Sequence, residues 1–289
     1  MGNQVLAYNN KRKLLIDRYM PVVYSLGLFI AILFIVSLLI YIVATGSHRL
    51  SWSLLTNFPS SNPREAGMLP AIYGTLWTVG LSTLMSFPLG IATAIYLNEY
   101  SGMEKLRSFL QINLNSLAGV PSVIFGVVGL GFLSYTLGLG RSILVGAILL
   151  AFLTLPLVTV SALEALKAVP DDLRFGGYAL GATRWEVIKS IVLPRALPMM
   201  LTGSILAISR AMGEAAPILV ISGLLFIRAV PASPLDRFTV MPLLLYNWIS
   251  WPQLEFRELA SAGIIVLLLM LILLNAVAIY LRYRLSRRR

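Results

Sequence analysis

The chain has 289 residues, of which 58% are hydrophobic and 12% charged, with a formal net charge of +11 and no cysteine. Soluble domains carry about a quarter of their residues as charge, so this composition excludes an ordinary soluble enzyme and points to lipid. The missing cysteines exclude disulfides, thiol nucleophiles and thiolate metal sites.

The first residues are polar and charged, with the cluster KRKLLIDR. The apolar run that follows is too long for the core of a cleaved signal, so a tail over 1–21 leads into a retained first span. Apolar runs of about 20 residues then recur, each long enough to cross a hydrocarbon core of roughly 30 Å. They predict six spans at 22–44, 71–97, 109–137, 141–163, 197–226 and 259–281. Lipid offers no partner to backbone N–H and C=O groups, so each span is expected as a helix.

The connection 45–70 is rich in Ser, Pro and Asn, with Trp52 and Phe58 as interface anchors. His48, the one histidine, sits there without companion ligands and is expected to be solvated. Pro88 and Gly90 punctuate the second span, Gly119, Pro121, Gly126, Gly129 and Gly131 the third, and Pro156 the fourth. Small residues of this kind let membrane helices approach closely. GVVGLG has the outline of a phosphate loop, yet no lysine in the chain follows a glycine, so a nucleotide P-loop is absent. The connection 227–258 holds Phe238, Tyr246, Trp248 and Trp251. It leaves room for a short interfacial helix, serving either an external partner or an aromatic belt.

The basic residues are distributed unevenly. Lys11, Arg12, Lys13, Arg18, Lys105, Arg107, Lys167, Arg174, Arg184, Lys189, Arg195 and the tail 282–289 fall on the side of the N-terminus. Arg49, Arg64, Arg141, Arg228, Arg237 and Arg257 fall on the other. By the positive-inside rule both termini are cytoplasmic, and the basic balance needs no nucleic-acid partner.

One connection on that basic side carries structure of its own. Asp171 and Asp172 after Pro170 suit a helix start. The apolar pattern stops at Gly181, a C-terminal cap. Thr183-Arg184-Trp185-Glu186 fits the capping box that opens a second helix, with Ile188, Ile191 and Val192 as its apolar face and Pro194 as its end. The fifth span reads GSILAISRAMGEAAPILVISG. Arg210 lies roughly 20 Å into it at 1.5 Å per residue. Glu214 follows at i+4, where the two side chains can meet. Such a pair is either a structural clamp between helices or the polar wall of a solute pathway. The guanidinium fork matches an oxyanion, and Glu214 would hold it in place.

Gly181, nine residues on Ile191, and then Leu193-Pro194 form the G-x9-I-x-L-P half of the loop of ABC importer permeases, which the chain resembles over all its spans. PAIYGTLWTV, PLGIATAIYLNEY, LAGVPSVIFGVVGLG, LKAVPDDLR and SRAMGEAAPIL look like the phosphate-importer permeases, the PstA type more than PstC. The usual Glu-Ala-Ala opening of the loop is replaced by Phe175-Gly176-Gly177. The resemblance implies an all-α membrane protein of six transmembrane helices, of the type I ABC importer permease kind. Its core would cover 71–281, with a cytoplasmic two-helix coupling segment at 164–195. It further implies a transport subunit without cofactor or catalytic residue. Two cytoplasmic PstB-like ATPase subunits would dock through Gly181, Ala182, Thr183, Trp185, Glu186, Ile191, Leu193 and Pro194. Arg210 and Glu214 would lie on the phosphate pathway. A PstC-like second permease, a PstS-like extracytoplasmic phosphate-binding protein and the lipid bilayer complete the implied partners.

Overall fold

The computed structural model describes residues 2–100, 102, 104–223, 227 and 229–287. Arg228, Arg288 and Arg289 of the charge pattern, and 224–226 at the end of the expected fifth span, lie outside them. The regular elements of the described residues are helices, with an isolated β-bridge between Ser142 and Arg237. Five helices are long and apolar enough to cross a membrane, and a sixth span results if a bent pair is counted as one.

Helix α1 (Gly2–Gly46) joins the polar tail and the first span into one rod. Residues 22–41 are exposed along all of its faces, and Ile42 is the first buried apolar side chain after them. Past it, Arg49 Nε donates to Glu258 Oε2 at 2.8 Å, and His48 Nε2 lies 3.3 Å from the same oxygen. His48 is solvated as expected, with its side chain 53% exposed, and it also sits beside Glu258, a partner near the far end of the chain and beyond any local signal. Helix α2 (Trp52–Thr56) is capped by Ser51, whose hydroxyl accepts from Leu54 N–H at 3.3 Å.

Helix α3 (Leu69–Glu99) opens with Pro70, whose lost N–H is an orphan there anyway. Helices α4 (Glu104–Gly119) and α5 (Ser122–Val128) belong to the third expected span, but they meet at 102°. The proline is the cause. Pro121 disfavours helical backbone at Val120, so the ladder stops at Gly119 and restarts beyond it. A π-helical stretch, Gly129–Thr136, continues α5. Gly126 and Gly129 are the packing glycines of this region, whereas Gly119 and Gly131 face open space.

Helix α6 (Ile143–Lys167) lies along α3 and is capped by Ser142. Helices α7 (Asp171–Ala179) and α8 (Arg184–Val187) form the connector to α9 (Leu193–Gly213). Helix α10 (Ala216–Ser222) follows a break, α11 (Met241–Ser250) fills part of the 227–258 connection, and α12 (Leu254–Arg287) closes the chain.

Four apolar clusters hold the described residues together, the smallest being Val145, Leu149 and Ile221. Leu54, Met68, Met241, Leu245, Trp248 and Phe256 hold one end. Ile143, Leu150, Met212, Ile218 and Phe238 fill the middle. Ala94, Leu166, Val187, Val192 and Met200 close the connector end. The buried hydroxyls of Thr75, Thr78, Thr154 and Ser204 donate to carbonyls one turn back, whereas that of Ser134 has no partner.

Candidate functional site

The connector folds as its caps dictate. Gly181 adopts φ +82, a backbone that side chains with a Cβ rarely take. Its N–H donates to Tyr178 O (2.9 Å), and Ala182 N–H donates to Gly177 O (3.2 Å), the paired bonds of a Schellman motif. Thr183 then caps α8. Its N–H and hydroxyl both donate to Glu186 Oε2 at 2.7 Å, while Glu186 N–H donates to Thr183 Oγ1 at 3.4 Å. Pro194 does not end the segment as its sequence position suggests. It has no N–H to give the carbonyl of Ser190, and Ile188–Val192 instead widen into a π turn in which Leu193 N–H donates to Ile188 O. Residues 184–213 thus run as one helix from the connector into the bundle.

This arrangement divides the motif residues. Gly181, Thr183, Trp185 and Glu186 are exposed. Ala182, Ile191 and Leu193 pack against the connector-end cluster, with Pro194 half-buried beside them. The replaced opening also gains a physical reason. A Cβ on Gly177 would sit 2.9 Å from both Val187 and Ile191, so a bare backbone allows α7 to lie on α8. Phe175 points outward at 66% exposure, near the sequence neighbour Leu180 at 90%.

Arg174 is a residue the sequence reading passed over. Its Nη2 donates to Glu99 Oε1 (3.1 Å) and to Leu166 O (2.8 Å), and its Nη1 donates to Asp171 Oδ1 (3.0 Å) and Val169 O. Both Arg174 and Glu99 have buried side chains. One guanidinium thereby ties α7 to the last turn of α3 and to the open carbonyls at the end of α6. The single helix-face signal in sequence is Asp171 three residues earlier.

The second feature lies mid-bundle. Arg210 occupies the last turn of α9, and Glu214 is off the helix at φ −81, ψ 113. The expected i+4 ion pair is not formed; among the described residues no hydrogen bond or ion pair joins the two. Pro217 explains the correction. Its ring clashes with the carbonyl four residues back, Gly213, and ends the helix there. Arg210 is instead exposed to a cleft of about 400 Å³. The remaining walls are Leu117, Ala118, Val120, Pro121 and Ser122 at the α4–α5 bend and Leu153, Pro156, Leu157 and Val160 of α6. The two broken spans also touch, since a Cβ on Gly126 would lie 2.8 Å from Pro217 O. Arg210 is the charged group of a wall that is apolar but for Ser122, with its donors open.

Residues 86–289 match the family described as binding-protein-dependent transport system inner membrane component. The chain is 34% identical over 227 residues to the phosphate transport system permease protein PstA 1 of Mycobacterium tuberculosis, covering 77% of this chain and 73% of that protein. It is 33% identical over 260 residues to the probable phosphate transport system permease protein PstA of Methanocaldococcus jannaschii, covering 89% of each. A chain of a bacterial alginate ABC transporter, solved with its alginate pentasaccharide-bound periplasmic protein, superposes with a TM-score of 0.65 at 18% identity. That match covers 94% of this chain and 96% of the other, and it speaks to the fold alone.

Proposed function

The chain belongs to the family of binding-protein-dependent transport system inner membrane components, and on that premise we propose that it is the permease subunit of an ATP-driven importer of inorganic phosphate. It is a multi-pass protein of the inner membrane, with both termini in the cytoplasm. ATP hydrolysis is supplied by two separate ATPase subunits. A second permease faces it, and an extracytoplasmic binding protein delivers phosphate. The PstA relatives support the cargo, and the uneven basic charge supports the orientation.

The observation that carries the reading is Arg210, open to a cleft between two broken spans. Discontinuous helices near mid-membrane mark substrate sites, because their freed backbone is tolerated only where it lines a cavity or is buried in protein. A guanidinium presents a planar fork of donors that fits a phosphate oxygen pair and keeps its charge at every physiological pH. Glu214, set apart by the break, leaves that fork free and supplies negative charge nearby. The passing anion is attracted but not trapped, which is what conduction requires.

At the connector end, Gly181, Ala182, Thr183, Trp185, Glu186, Ile191, Leu193 and Pro194 form the docking element for the ATPase. The exposed members meet the partner, and the inward ones fix the element on the bundle. Because 184–213 is one helix, a displacement of the docking tip moves Arg210 as well. ATP-driven approach of two such tips would open the pathway outward, and hydrolysis would reset it.

The test is phosphate-stimulated ATP hydrolysis by the reconstituted complex. Arg210→Ala is expected to abolish the stimulation while all subunits still co-purify. Equal stimulation in that variant contradicts the pathway role, and stimulation by molybdate or sulfate in place of phosphate reassigns the cargo. Deleting 175–190 should release the ATPase subunits; uptake that persists without them overturns the permease reading.

A further inference from the structure

Helix α4 is the least apolar of the long segments, yet it leads straight to the cleft. It starts just after α3 ends at the connector side, and its sixteen residues rise about 24 Å at 1.5 Å each. Its last turn, with Leu117 and Ala118, walls the Arg210 cleft. Leu114 is buried and Leu110 and Leu117 are half-buried, so this face looks into the bundle. One flank carries Phe109 and Ile112, both exposed, together with Asn113 and Ser116. Asn113 Nδ2 donates to Phe109 O at 2.7 Å, satisfying itself on its own helix as a polar group in lipid must.

The other flank behaves differently. Ser108, Gln111 and Asn115 follow one another at i, i+3 and i+7, with Ala118 next in the row, so they share a stripe. All three are exposed, and among the described residues none of their side chains makes a hydrogen bond. An amide left unpaired in hydrocarbon costs about 2–7 kcal/mol. Two such amides cannot face lipid tails when Asn113, two positions from each, bonds back to its own helix.

We propose that Ser108, Gln111 and Asn115 line an aqueous passage that conducts the oxyanion between the Arg210 cleft and the connector end of the bundle. This rests on the phosphate reading of the cleft. The amide N–H groups and the hydroxyl donate to the anion's oxygens without adding positive charge. The stripe therefore offers successive weak sites between Arg210 and the exposed Arg107, one turn before Gln111 at the connector end, and so spaces the two cations apart.

The chain has no cysteine, so single thiols can be placed without background on this subunit. Gln111→Cys, Asn115→Cys and, as the lipid-side control, Ile112→Cys are made in the complete importer. Each is treated with a charged sulfonate thiosulfonate reagent, and labelling is read as a mass shift of this chain. Reaction at 111 and 115 is expected to be about tenfold or more faster than at 112, because the thiolate forms only where water reaches it. Phosphate should slow it, and labelling should block uptake. Equally slow reaction at all three positions overturns the passage and indicates a helix of the second permease packed on the stripe. Fast labelling that molybdate or sulfate slows and phosphate does not upholds the passage and overturns phosphate as the cargo.

Discussion

Arg174 and Arg210 are both helical arginines beside a bundle of apolar residues, and the structure treats them in opposite ways. Arg174 is buried and spends its donors on Glu99, Asp171 and two helix-end carbonyls. Arg210 has no carboxylate partner among the described residues and opens onto a cleft. The first is a rivet: its guanidinium replaces water for three elements at once and has nothing left to offer a ligand. The second retains its full hydrogen-bonding capacity in a low-dielectric setting, where it is worth most. Charge inside a membrane protein thus does not by itself mark the pathway. On the proposed reading, an unfilled donor set facing a cleft does.

Substitutions can sharpen that contrast. The largest effect on stability should come from Arg174→Ala, which strips the buried Glu99 carboxylate of its cationic partner and leaves it the Asn98 amide as donor, at about 3 kcal/mol. The detergent-solubilised complex should melt several degrees lower. Adding Glu99→Gln should recover part of the loss, and full additivity of the two changes would mean that they do not interact. Gly181→Ala should cost about 1–2 kcal/mol, since a Cβ disfavours φ +82. It is read as weaker recovery of the ATPase subunits with the bundle's melting little changed. Thr183→Ala removes the cap of α8 for about 1 kcal/mol and should give the same pattern more faintly.

The two regions also differed in how far sequence revealed them. The connector was legible because its signals are local: Pro170 before two aspartates, Gly181, and the Thr183–Glu186 box each act within one turn. The spans were legible from apolar length alone. What sequence hid was mostly interruption and distance. Apolar periodicity runs through 197–226 without a gap, so the stop imposed at Gly213 by Pro217 was masked, and with it the separation of Glu214 from Arg210. The 102° bend at Val120–Pro121 was hidden in the same way. Pro194 misled in the opposite sense, because a π turn absorbs it. Arg174 reads as one more basic residue until Glu99, 75 positions earlier, is brought beside it by the fold.

One paired measurement separates the roles of these two arginines. Phosphate uptake into proteoliposomes and thermal melting are recorded together for the importer carrying Arg210→Ala or Arg174→Ala. Losing a charged hydrogen-bonding site of about 1.5–3 kcal/mol, Arg210→Ala should cut uptake roughly 10- to 100-fold at an unchanged melting temperature. Arg174→Ala should lower the melting temperature, while complexes that remain folded still take up phosphate. Normal uptake in Arg210→Ala, or melting that falls as far as in Arg174→Ala, would contradict the assignment of Arg210 to the pathway.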